Sequence, residues 1–446
     1  MLVELREALE SLLNMRIQEG KWDDSENEPG LLKTLEAISC FGSPAYYFER
    51  LKIFDRKFEL IKIPEDILAA DLKSILKTID ELGYPPQPYL DADVNVKYGI
   101  PYEKGKTDFV DTASFFSSAM LDLMEYYEVV YNKEIPDYNE ISRYLKESIN
   151  WLVNNAIVSE KGVSWSWGNK NLSEAIPSVY FTWSAVVALS YAVLSIYSPL
   201  ADAEKERIKN MLSGVTKWIV EIIREDPDYP KERWRISYSR FSDTFSGKHE
   251  AFLIYIISMI DWLNQIGIEF PKDIILKVLK TILDIYRKNQ MWRFEGLNHL
   301  ILLPPEITGS KKSIVVEYED RSCEYLLMGA LSWFYMMHNE KKMLLEDNDF
   351  NDLDAMIEEL RKKMISERDP IKKVWKKDGF LLYLTQRSIE SITTYFRYVY
   401  PHKGMELSLY DSIRLAVEAT FDELKPQLIE RIYKNIELLK KGLKEE

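Results

Sequence analysis

Five short tryptophan-bearing segments punctuate this chain, each just ahead of a stretch patterned for a helix. They are Gly20-Lys21-Trp22, Gly162-Val163-Ser164-Trp165-Ser166-Trp167, Arg233-Trp234-Arg235, Met291-Trp292-Arg293 and Val374-Trp375-Lys376. The first interval is about twice the others, and Tyr84–Thr107, near its middle, fits a sixth punctuation with Tyr in place of Trp. Self-similarity of this kind marks stacked units that bury a common face only together.

Between the punctuation marks the apolar residues recur with a period of 3.6. In Glu65–Leu82, for example, Ile67, Leu68, Leu72, Ile75, Leu76 and Ile79 share one side, and Gly83 with Pro85-Pro86 stops the helix. Further helices are expected over Val3–Met15, Gly30–Phe41, Asp111–Tyr131, Tyr138–Ala156, Pro177–Tyr197, Asp202–Arg224, Asp243–Ile266, Lys272–Lys288, Asp320–Met337, Asp352–Ile365, Gln386–Tyr398 and Glu423–Lys441. The helix after a tryptophan segment is the more apolar member of its pair, as an inner helix enclosed by neighbours must be, and its partner is more charged. The pattern predicts an all-α (α/α)6 toroid of six inner and six outer helices with an additional N-terminal helix. No long Gly/Ser linker divides it, so one domain over 1–446 is expected: a leading helix in 1–19 and six helix pairs in 20–441.

Ala175–Ala201 holds no Asp, Glu, Lys or Arg and is long enough to span a bilayer, but Pro177 and several Ser and Thr residues interrupt it. A buried central helix is the preferred reading, with no membrane span. The net charge of −14 argues against nucleic acid as the main partner, and two cysteines point to a reducing, cytoplasmic setting.

The segment Gly162–Tyr191 resembles the repeat of the terpenoid cyclase and protein prenyltransferase toroids, through Gly162, Trp165, Trp167, Pro177, Thr182, Trp183, Ala188 and Leu189. Shorter echoes are Gly20, Trp22, Pro29 and Thr34, then Asp111-Thr112-Ala113, Trp234 with Asp243-Thr244, and Trp375 with Thr393. The resemblance implies an Asp-x-Asp-Asp proton donor, an Asp-Asp-x-x-Asp magnesium site or an Asp-x-Cys zinc pair. None is intact: Asp91-Ala92-Asp93-Val94-Asn95 lacks the final Asp, Trp22–Glu28 only approximates the second, and Asp320 and Cys323 stand one residue too far apart. Neither metal nor other cofactor is therefore expected, and Asp91, Asp93, Asp111, Asp243 and His249 remain as weak catalytic candidates.

From the punctuation and the missing motifs the expectation is a non-catalytic binding or interaction module. It would hold an apolar small molecule or a protein partner at a mouth lined by Trp22, Trp165, Trp167, Trp234, Trp292 and Trp375. The same indoles also suit a structural role as wedges between helix pairs. Two alternatives stand beside it: a divergent isoprenoid-processing enzyme, and an (α/α)6 carbohydrate-active enzyme. The last needs a pair of carboxylates, with Asp111, Glu174, Asp243, Glu319, Asp320, Glu324 and Glu390 at helix starts to choose from.

Overall fold

A computed structural model of the chain describes residues 2–18, 21–22, 31–51, 63–82, 110–166, 170, 177–225, 250–289, 297–303, 314–320, 323–375 and 381–403. The described helices are α1 (Leu2–Asn14), α2 (Leu31–Leu51), α3 (Glu65–Leu82), α4 (Val110–Tyr126, continued by a π-turn over Tyr127–Tyr131), α5 (Tyr138–Asn154), α6 (Val179–Leu194), α7 (Asp202–Glu225), α8 (Glu250–Gln265), α9 (Lys272–Asn289), α10 (Cys323–Asn339), α11 (Asp347–Ser366) and α12 (Leu381–Tyr398).

The even-numbered helices make the inner layer. Helix α2 packs on α4, α4 on α6, α6 on α8, α8 on α10, α10 on α12, and α12 returns to α2, so the ring closes. The odd-numbered helices lie outside it: α5 against α4 and α6, α7 against α6 and α8, α9 against α8 and α11, and α11 against α10. This is the (α/α)6 toroid the periodicity predicts. Helix α1, the leading helix, covers the seam, packing on both α12 and α2. Arg368 Nη1 donates to Glu7 Oε2 at 2.8 Å and so fastens α1 to the connection between α11 and α12. The helix expected over Glu423–Lys441 lies outside the described residues.

Sequence accounts for the two layers. Helix α6 buries nearly every residue from Val179 to Ala192, whereas α7 buries only Ile208, Leu212, Val215 and a last-turn cluster while its charges face out. The uncharged stretch around α6 is thus the wall of the ring, and among the described residues no helix is long and apolar enough to cross a membrane.

Three two-stranded antiparallel hairpins join the layers, none of them foreseen. They pair β1 (Arg16–Gln18) with β2 (Lys21–Trp22), β3 (Ile157–Ser159) with β4 (Gly162–Ser164), and β5 (Leu297–Leu303) with β6 (Ile314–Asp320). The helical period gives no signal for such short segments, and Leu297–Leu303 reads equally as part of a buried helix. The tryptophan punctuation falls on these bends: Trp22 ends β2, Trp165 follows β4, and Trp375 forms a lone bridge with Arg368.

Trp165 and Trp375 are fully buried and make the same bracket. Each indole N–H donates to a carbonyl near the end of the preceding outer helix, Trp165 to Leu152 at 2.9 Å and Trp375 to Met364 at 2.7 Å. Each backbone N–H donates to a threonine on the next inner helix, Trp165 to Thr182 at 3.0 Å and Trp375 to Thr385 at 3.1 Å. The indole therefore ties the end of the outer helix to the next inner helix, and for Met364 it satisfies a helix-end carbonyl.

Candidate active site

The inner helices bring an unusual number of polar side chains to the axis of the ring. They run in the same direction: Trp183, near the start of α6, donates its indole N–H to Ser258 of α8 at 3.0 Å, and Tyr191, a little over two turns on, packs its ring 6.0 Å from Trp262. A cavity of 110 Å³ lies between them, lined by Asp122 of α4, Trp183 and Tyr191 of α6, Asp261 and Trp262 of α8, and Arg387 and Glu390 of α12, among others. A water molecule needs about 10–15 Å³ on this measure, so the space is that of several waters or a small polar ligand.

Asp122 is the most perturbed group there. Burial pushes its carboxyl well above the usual carboxylate range, the hydroxyls of Tyr191 and Ser39 oppose the shift, and the charges of Glu390 and Glu125 add to it. Proton counting agrees. The Tyr191 hydroxyl oxygen lies 2.9 Å from Asp122 Oδ1 and 3.2 Å from Glu125 Oε2, yet a phenol has one proton to give. Both contacts are hydrogen bonds only if one carboxyl is itself protonated and donates to the phenol oxygen. The balance of burial and charge puts that proton on Asp122.

Glu390 is held differently. It accepts from Arg387 Nη1 at 2.8 Å and from Gln386 Nε2 at 3.2 Å, two donors that suit an ionised carboxylate. The Arg387 guanidinium also sits 5.1 Å from the centre of the Trp183 ring, reaching across the bore from α12 to the opposite helix α6. Asp261 is the third acid of the cavity. Burial raises its pKa to about 6, against the pull of Arg397 and of hydrogen bonds from Tyr398 and Gln265. The nearby Cys40 thiol is also pushed well up, by burial first and then by Glu36, Glu390 and Asp122, so it stays a thiol rather than a nucleophile.

Of the described residues offered from sequence as catalytic or ligand-binding candidates, Glu390 alone lines this cavity. Asp91, Asp93, Glu174, Asp243, His249, Trp167, Trp234 and Trp292 lie outside the described residues. Asp111 falls in the first turn of α4, Glu319 and Asp320 end β6, Trp22 ends β2, and Cys323 and Glu324 open α10. Trp165 and Trp375 are sealed between the layers rather than at a mouth. Asp122, Asp261, Trp183, Trp262 and Arg387 were passed over as catalytic or ligand-binding candidates; the signal available was an acid or arginine inside an otherwise apolar inner helix, which has no solvent to face.

No family model matches the chain, and no curated protein matches it. Three solved structures resemble it at 10% identity. The cellobiose 2-epimerase of Spirochaeta thermophila aligns over 90% of this chain and 98% of its own with a TM-score of 0.50. A GH76 alpha-mannanase of Bacteroides thetaiotaomicron aligns over 89% and 95% with a TM-score of 0.47, and a glycoside hydrolase family 76 mannosidase of the same organism over 90% and 99% with 0.43. The likeness to the epimerase is one of fold. It corrects the terpenoid cyclase and prenyltransferase resemblance: the Gly, Trp and Thr spacing around Trp165 reflects the bracket that any toroid of this build needs, not isoprenoid kinship. The expectations of a non-catalytic module and of isoprenoid chemistry are corrected with it. The first rested on toroid punctuation beside absent acid and metal motifs and the second on a divergent acid among Asp91, Asp93, Asp111 and Asp243, whereas the bore holds Asp122, Asp261 and Glu390 with an arginine and serine hydroxyls.

Proposed function

We propose that this chain is a carbohydrate-active enzyme that cleaves a glycosidic bond inside the ring, with Asp122 as general acid and Glu390 as general base. The observation that carries the reading is two carboxyl groups with different surroundings in one cavity. Burial keeps Asp122 protonated against the pull of the Tyr191 hydroxyl, whereas Glu390 accepts hydrogen bonds from Arg387 and Gln386. Water adds to the anomeric carbon and its proton passes to Glu390. The glycosidic C–O bond breaks as the proton of Asp122 moves to the leaving oxygen. Trp183 and Trp262 offer faces on which a sugar ring stacks, and Ser258 and Arg387 offer donors to its hydroxyls. The carbohydrate-active toroids among the structural neighbours are in keeping with this reading, and the low cysteine content supports a cytoplasmic location.

The test is release of reducing ends from manno- and gluco-oligosaccharides by the purified protein. Asp122→Asn and Glu390→Gln are each expected to lower the rate by about 100-fold or more while the fold is kept. Turnover by Asp122→Asn at the wild-type rate, or no turnover by wild type on either series, would sink the reading.

A further inference from the structure

Among the described residues, a layer of side chains crosses the ring at one end of the cavity. The lining of the cavity stops at the level of Asp261, Trp262 and Thr394. One turn further on, two bonds cross from α12 to α8 over the intervening helix α10. Tyr398 donates its hydroxyl to Asp261 Oδ1 at 2.9 Å, and Arg397 Nη1 donates to Gln265 Oε1 at 3.0 Å. The Arg397 guanidinium lies 4.8 Å from the centre of the Tyr398 ring, so the two side chains form one layer. Asp261 and Tyr398 are both buried, which makes this layer a floor rather than a fringe.

The two ends of the ring differ. Beyond the floor, the chain turns from α6 to α7, from α8 to α9 and from α10 to α11 through short connections, Ser195–Ala201, Ile266–Pro271 and Glu340–Glu346. At the other end the chain takes far longer to reach α4, α8 and α10.

We propose that the cavity is a blind pocket for the terminal unit of a saccharide, and that Tyr398 and Arg397 determine specificity by setting its depth. This rests on the carbohydrate reading. A chain threading the bore would have to break both cross-ring bonds and cost the buried Asp261 carboxyl its Tyr398 donor, whereas a chain end fills the space above them and leaves them intact. The substrate class is then a disaccharide or the end of an oligosaccharide, cut one unit at a time, not the interior of a polymer.

The deciding experiment is isothermal titration of the full chain with methyl glycosides of D-mannose and D-glucose and with manno- and cello-oligosaccharides of two to six units. Asp122→Asn is used wherever turnover interferes. The pocket predicts saturable binding of one methyl glycoside, a gain on adding a second unit, and affinities within about twofold from three units to six, since a tenfold gain would require a further contact worth about 1.4 kcal/mol. Arg397→Ala removes the bond to Gln265 and opens the floor, so in that variant affinity should no longer level off at three units. Wild-type affinity that climbs through the hexasaccharides, or no binding of either methyl glycoside, overturns the inference. The hydrolysis assay separates this from the reading beneath it. Internal fragments from an active enzyme would sink the pocket and spare the glycosidase. Tight binding of chain ends without cleavage would sink the glycosidase and spare the pocket.

Discussion

Gly42 sits within helix α2, where helix propensity alone says that alanine should stabilise by about 1 kcal/mol. The packing of the ring reverses that expectation. A Cβ at Gly42 would lie 2.5 Å from Asp122 Cβ and 3.0 Å from the carbonyl carbon and oxygen of the same residue. Carbon atoms rest about 3.5–4.0 Å apart, so α2 and α4 would have to separate by about 1 Å along their contact. Overpacking at so short a contact costs up to about 3 kcal/mol, which outweighs the propensity gain of about 1 kcal/mol and leaves Gly42→Ala less stable by up to about 2 kcal/mol. Because the displaced residue is the proposed acid, a shift of about 1 Å should also lower turnover by about 100-fold. Gly329 of α10 is the control: its added Cβ would meet Ser391 and Thr394 at 3.6 Å, an ordinary contact. Gly329→Ala should therefore show the stabilising effect of propensity. Denaturant midpoints for the two variants, read beside turnover, decide the matter. A Gly42→Ala protein at or above the wild-type midpoint with unchanged activity would refute the close-packing argument.

The remaining predictions concern the floor and the brackets. Asp261 has its pKa raised from 3.8 to about 6, so its ionisation costs stability as pH rises across that window, by about 3 kcal/mol in all. Asp261→Asn has no such cost; wild type should gain on it steadily from pH 7 to pH 4 in denaturant titrations, and parallel curves would contradict the assignment. Trp375→Phe strands the Met364 carbonyl and is expected to cost about 1–3 kcal/mol, while Trp165→Phe, whose Leu152 acceptor keeps the Asn155 N–H, should cost about 1 kcal/mol, both with saccharide affinity unchanged. A loss of affinity at full stability would return those two indoles to the role of ligand platforms.

The toroid was legible because its cause is local. Every turn of α6 is apolar and every exposed face of α7 is charged, and the Trp165 and Thr182 spacing records a bracket within one repeat. The site was not legible for the opposite reason. Asp122 matters through Tyr191, Ser39 and Glu390, which stand on three other helices, and nothing near it in sequence distinguishes it from an acid facing water. Glu390 was visible only as one of seven acids near helix starts. The tryptophans misled because an indole that closes a joint and one that stacks on a ligand carry the same punctuation; burial alone separates them.

The clasp between Glu7 and Arg368 joins residues from opposite ends of the described chain, and so does the seam where α12 meets α2. Neighbouring helix pairs can assemble as they are synthesised, but this last junction has to wait until α12 has been made, and contacts so distant in sequence form slowly. Ser39 on α2 and Glu390 on α12 flank that junction, and both act on Asp122. The proposed catalytic centre therefore comes into being only once α12 has met α2, so a chain arrested before the circle is joined would be rich in helix yet chemically silent.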